Sequence, residues 1–294
     1  MFTYTKYAVP GWPPCGDPPE TLYMPDQILD VFHASYKATG RVGRKNVFFL
    51  PDIPLRWEES QEIARETLAR LDHAWASALD DVKSSGRFDV RFSDKGWTNG
   101  HAGGGIHMEY TEKFSDAPTL AHEMGHFLAE SNGGLSMNLM ELQGMFCECA
   151  ALDMLRQRGL STAVDAYEAF WREQFLFLRP WRMKELAASR SGKATEESKQ
   201  NAYFLHRHAP SQILANGFYE RSKAMTPSQR RAFMETLYRG GVSPRLETVL
   251  AAAGVRNEAE LYDFLSFALT KSGLPAIQVS TPAVKTSLPL KWDV

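Results

Sequence analysis

Two histidines four residues apart, with a glutamate after the first, stand in the stretch TLAHEMGHFLAE over residues 119–130. A helix carries positions i and i+4 on one face, one turn apart, so His122 and His126 can aim both imidazoles at one point. Glu123 is turned about 100° from His122 on such a helix, where it flanks that point and reaches a water held there. Two imidazoles leave a metal needing a third protein ligand, and zinc with one position open to water is the natural occupant. Three acids downstream offer themselves: Glu141, Glu148 and Asp153. Glu141 and Glu148 are seven residues apart and share a helix face. One would bind the metal, and the other would orient a histidine or hold the helices together. Spacing alone does not choose between them.

The elements that position these residues show in the periodicity. Asp116 suits an N-cap and Pro118 falls in a first turn, which opens the histidine helix. Helical patterns cover 117–131, 137–158, 161–178, 195–223, 227–238, 244–253 and 257–270, with a shorter one from Pro25 to Gly40. Trp57 to Lys83 reads as one long amphipathic helix, with Ile63, Leu68, Leu71, Trp75 and Leu79 on its apolar side. KNVFFLPDI is a strand candidate. RFDVRFSDKGWTNGHAGGGIHMEYTEKF alternates, contains NG and a triple glycine, and reads as two or three short strands with turns. The expected fold is mainly α with a small antiparallel β-sheet. An arm, helix and strand over 1–56 pack on a body over 57–273, and 274–294 forms an irregular tail.

Composition narrows the function classes. A chain of 294 residues, 44% hydrophobic and 23% charged, has the make-up of a soluble globular protein with a sizeable core. Its net charge of −2 gives no footprint for nucleic acid or an anionic membrane surface. No run approaches the roughly 18 apolar residues of a membrane span. Cys15, Cys147 and Cys149 cannot build a disulfide framework, and the first residues lack a secretory layout, which points to the cytoplasm. Cys147 and Cys149 straddle Glu148, but positions i and i+2 diverge on a helix, so buried inert thiols are expected rather than a shared ligand set. The aromatic stripe AYEAFWREQFLFLRPW reads as core packing.

Several motifs in order resemble one family. HMEYTEKFSDAPTLAHEMGH is similar to the tyrosine-bearing strand, Asp loop and metal helix of the thimet oligopeptidase and oligoendopeptidase F metallopeptidases. ELQGMFCECAALDML fits that family's Glu, Glu, Asp spacing with Glu141, Glu148 and Asp153 in register. FMETLYRGGVSPRLETVLAAAGV resembles its closing glycine-rich signature, and DVRFSDKGWTNGHAGGG its lysine-glycine turn. The likeness runs from about residue 57 to 270 and implies a zincin-like (gluzincin) oligopeptidase catalytic domain.

That resemblance implies one Zn2+ per chain, with Glu141 as third ligand beside His122 and His126, and with Glu148 and Asp153 supporting them. It makes Glu123 the general base and acid of a peptidase that cleaves peptides or unfolded protein. An IHMEY edge strand would align the peptide, with Gly104, Gly105, His107 and Tyr110 as contacts and Gly103 to Gly105 allowing close backbone approach. Three departures stand out. The loop between the metal helices is short, and the helical half that roofs the family's channel has no counterpart in the likeness, which predicts a more open groove. In a late helix the family's oxyanion-donating tyrosine positions hold Pro210, Gln212 and Leu214, taking Gly217 as the register. His208 and Tyr219 are the expected stand-ins, with Tyr203 and His206 nearby. The alternatives are a catalytically altered member that binds peptide or metal, or a hydrolase of a dedicated amide or precursor peptide.

Overall fold

The computed structural model describes residues 24–38, 53–94, 99–102, 104–132, 139–172, 208–239 and 245–276. The arm over 1–23, the strand expected within 45–53 apart from its last residue, the start of the 195–223 helix and the tail after 276 lie outside the described residues. The described chain is mainly helical. Its helices are α1 (Asp26–Ala38), α2 (Trp57–Leu71), α3 (Ala78–Ser84), α4 (Asp116–Ser131), α5 (Met140–Gln157), α6 (161–172), α7 (Ala209–Lys223), α8 (Pro227–Arg239), α9 (Leu246–Ala252) and α10 (Glu258–Lys271). No described helix is long and apolar enough to cross a membrane.

The long helix expected over 57–83 is broken in three. Asp72 adopts an extended backbone and its carboxylate accepts from the Ala74 N–H, which starts a separate 3-10 turn over His73–Trp75. An aspartate that bonds its own downstream backbone offers the chain an alternative to continued helix. The turn swings Trp75 edge-on against Tyr238, with ring centroids 4.7 Å apart, inside the main core.

Strands β1 (Phe88–Phe92), β2 (Asn99–Ala102) and β3 (Ile106–Tyr110) form one sheet in the order β1-β3-β2. The sheet is mixed, not antiparallel: β2 and β3 make the expected hairpin, but β1 runs parallel to β3. IHMEY is therefore the central strand, not an edge, and both its sides are occupied. Ile106 and Met108 point into the core, and alternation turns His107 and Glu109 to the other face. Gly104 takes the left-handed conformation in the turn, at φ +68°. A Cβ on Gly105 would run into the Arg87 backbone carbonyl, which accepts from the Ile106 N–H at 2.8 Å.

The helix α4 packs most extensively on α5, and α5 in turn packs on α7, which packs on α10. Close approach of α4 and α5 depends on glycine: a Cβ on Gly125 would sit 2.7 Å from the Gln143 carbonyl oxygen and 2.9 Å from the Gly144 Cα. Both ends of α4 are tied to the sheet. Asp116 occupies the first helical turn rather than capping it, and its buried carboxylate accepts from the Thr111 and Lys113 N–H groups at 3.0 and 3.1 Å. At the other end the Glu130 carboxylate accepts from the Gly104 N–H at 3.1 Å. A second, smaller core joins Ile63, Phe114, Leu155, Val164 and Tyr167 beneath α4 and α6.

Candidate metal centre

α4 places His122 and His126 one turn apart, and the rings stand nearly perpendicular, at 85°, with centroids 4.6 Å apart. Their Nε2 atoms approach to 2.9 Å. α5 brings Glu141 opposite them, with Oε2 3.6 Å from the His122 Nε2. One donor atom from each of His122, His126 and Glu141 lies within 4.8 Å of the others. The seven-residue spacing resolves itself here. Glu141 faces the Nε2 side of His122, whereas Glu148, two turns on, has Oε2 3.1 Å from its Nδ1. Gly144 lies between these acids, and a Cβ there would sit 2.7 Å from the His122 Nε2 and 2.8 Å from the His126 Cε1. The backbone of α5 thus forms the floor of the cluster.

Glu123 is buried beside the cluster and packs on β2: a Cβ on Gly100 would lie 2.8 Å from its Cγ. Its Oε2 is buried without a hydrogen-bond partner among the described residues. Burial pushes the Glu123 carboxyl up to about 7, with His122 opposing the shift and Glu141 and Glu148 adding to it. Burial alone would also raise Glu141, but His122, His208 and His126 outweigh it and hold that carboxyl far below the usual range. Burial drives His126 down to about 3, with His122 in the same direction. His122 goes the other way, because hydrogen bonds to Glu141 and Glu148 overcome its burial.

This donor set fits a divalent cation. Three buried carboxylates converge on two imidazoles, and buried charge of one sign requires a counter-charge. The His122 Nδ1 donates to the Glu148 carboxylate, so a cation that takes the place of the Nε2 proton finds that nitrogen turned toward His126 and Glu141. Two imidazole nitrogens and one carboxylate oxygen make the ligand type of an open catalytic zinc site.

Other expected site residues are distributed unevenly. His208 comes to the rim of the cluster, its Nε2 4.0 Å from the Glu141 Oε2 and its ring 6.3 Å from Trp171. Asp153 and Tyr219 are brought to each other and not to the cluster. The Tyr219 hydroxyl donates to the Asp153 carboxylate at 3.1 Å, and Arg70 and Lys223 pair with the same acid. Tyr110 stacks on Trp57 with centroids 4.4 Å apart. The His107 Nδ1 lies 3.7 Å from the Asp89 carboxylate across the sheet. Gly104 and Gly105 serve the turn and the packing of β1, as described, while Gly103, Tyr203 and His206 lie outside the described residues. Cys147 and Cys149 are buried free thiols.

Four residues escaped the sequence reading: Gly100, Gly125, Gly144 and Tyr167. A glycine inside a helix destabilises it by about 1 kcal/mol relative to alanine, and Gly125 and Gly144 carried that signal. Tyr167 sat within a stripe read as pure packing, yet its hydroxyl donates to the Glu148 Oε1 at 3.2 Å.

No family model matches the chain, and no curated protein does. Among solved structures it is similar to a protein provisionally assigned as an oligoendopeptidase F from Bacillus anthracis str. Ames, at 14% identity and a TM-score of 0.48. The match covers 74% of this chain and 46% of that one, so the chain spans just under half the length of the protein it matches.

Proposed function

We propose that this chain is a zinc-dependent peptidase that hydrolyses peptide bonds in short or unfolded polypeptides. One observation carries the reading: the His122, His126 and Glu141 donor atoms converge beside a buried Glu123 carboxylate oxygen that has no hydrogen-bond partner among the described residues. His122, His126 and Glu141 would hold the ion, which when bound polarises a carbonyl and makes water nucleophilic near neutral pH. Glu123 takes the proton of the attacking water and passes it to the leaving nitrogen. A carboxyl poised near 7 can do both at physiological pH. His208, at the rim, donates to the oxyanion that develops on the attacked carbonyl.

The same geometry supports a role for β2 in place of β3. Among the described residues β2 is a sheet edge whose Gly100 touches Glu123, so an extended peptide pairing with its outer side would lie across the carboxylate. The test is metal content of the purified chain and of His126→Ala and Glu141→Ala, followed by a peptide-library digest with wild type and Glu123→Gln. The reading expects about one zinc per wild-type chain, lost in both ligand variants, and cleavage lost in Glu123→Gln with its metal retained. A wild type without metal, or a Glu123→Gln variant that still cleaves, would reject it.

A further inference from the structure

Within the described part of α6 the aromatic stripe packs on the second core, and Tyr167 carries a hydroxyl into it. Tyr167 is buried between Phe114 and Trp171, with ring centroids 5.9 and 6.2 Å away, in a core otherwise lined by Ala163, Val164 and Leu155. Phenylalanine would fill the same space without a hydroxyl to satisfy, so packing does not account for a tyrosine here. The hydroxyl reaches Glu148, and Glu148 reaches His122 with its other oxygen. Each carboxylate oxygen thus has one donor, and the carboxylate is fixed in rotation as well as in place. A carboxylate held by one oxygen alone can turn, and the His122 Nδ1 then loses its acceptor. The ring is then free to turn, and its Nε2 no longer faces Glu141 and His126 together.

We infer that Tyr167 is a positioning residue for the metal centre, acting through Glu148 to hold the His122 ring with its Nε2 facing His126 and Glu141. This rests on the reading of those three residues as the ligand set, and it adds a group two contacts away from them.

The experiment compares wild type, Tyr167→Phe, Glu148→Gln and the double variant as full chains, with zinc affinity read by chelator competition. Proton–nitrogen NMR of the zinc-loaded proteins reads the hydrogen bond from the His122 Nδ1–H to Glu148. Tyr167→Phe should weaken zinc binding about tenfold or more, the range for lost outer hydrogen bonds, while its metal-free fold is retained by circular dichroism. Its His122 Nδ1–H should lose its protection from exchange with water. In the Glu148→Gln background the same change should have little further effect, because the path is already cut. A merely structural Tyr167 would lower the melting temperature and leave that proton's exchange and the affinity unchanged, which overturns the inference. A wild-type His122 Nδ1–H that exchanges with water as fast as a free imidazole overturns it as well, even if no variant folds. A wild type that takes up no zinc removes the ligand reading and this inference together. Wild-type binding with unaltered Tyr167→Phe binding removes this inference alone.

Discussion

Gly144 of α5 lies against His122 of α4 so closely that a single added methyl group would sit 2.7 Å from the ring nitrogen facing the cluster. Such a contact is shorter than carbon and nitrogen tolerate, and a second one at 2.8 Å to His126 blocks retreat in that direction. Gly144→Ala should therefore abolish metal uptake. Alanine is the better helix former by about 1 kcal/mol, so loss of metal without loss of helical signal separates this clash from unfolding. Metal stoichiometry beside far-ultraviolet dichroism reads both.

The contact between Gly100 and Glu123 makes a complementary case. Gly100→Ala pushes on the Glu123 Cγ at 2.8 Å without touching the ligand atoms. Zinc content should stay near wild type while kcat falls by about 10²-fold, since a general base contributes about 10²–10⁴ and depends on its position. A variant with full activity would show that Glu123 has room to shift.

Removing the ion should loosen the pairing of α4 with α5. A ligand at a thousandfold excess over its Kd stabilises by about 4 kcal/mol, which for a chain of this size is a shift in Tm of about 7 °C. Chelation should produce that drop in wild type and none in His126→Ala, as differential scanning calorimetry would show.

His208 and Tyr219 divide cleanly. His208 stands at the cluster, and His208→Ala is expected to lower kcat by about 10²–10³, the cost of a lost oxyanion donor. Tyr219 donates to Asp153, so Tyr219→Phe should cost about 1 kcal/mol of stability and leave kcat within about twofold. Steady-state kinetics with urea melts of both variants tests the pair, and a large kcat loss in Tyr219→Phe would contradict the placement of its hydroxyl.

The two thiols should be unreactive in the folded chain. Burial pushes Cys147 up to about 12, partly offset by its contact with Tyr238, and burial with nearby carboxylates raises Cys149 too. A raised thiol pKa means less thiolate at any given pH, so at pH 8 far below one per cent of Cys147 is nucleophilic. Iodoacetamide at that pH should label neither until denaturant is added, with peptide mass spectrometry as the readout. The sign also makes Cys147 a drain on stability from its unfolded value near 9 upward, where the unfolded chain releases the proton first.

How far the site was legible follows from how local each part is. His122, Glu123 and His126 lie within two turns of one helix, and helix geometry alone puts the imidazoles together. Spacing alone did not separate Glu141 from Glu148; the family resemblance favoured Glu141, and the crossing of α4 and α5 brings each acid to a different nitrogen of His122. The parallel pairing of β1 with β3 was hidden because it skips over the hairpin partner. The break at Asp72 was hidden because the apolar spacing continues through it to Trp75 and Leu79. Gly100 and Tyr167 are invisible along the chain, since each matters only for what stands across from it.

The fastening of α4 at both ends has a consequence for chain length. Asp116 grips the backbone just past β3, and Glu130 grips it just before β3, so strand and helix form a closed frame with two fixed corners. One residue inserted anywhere between Gly104 and Ser131 turns the downstream helix by about 100° or tears a corner open. The outward-facing positions of this tract can vary in identity while its residue count stays locked. Grafting the site onto another scaffold would accordingly mean moving the strand, the loop and the helix as one piece.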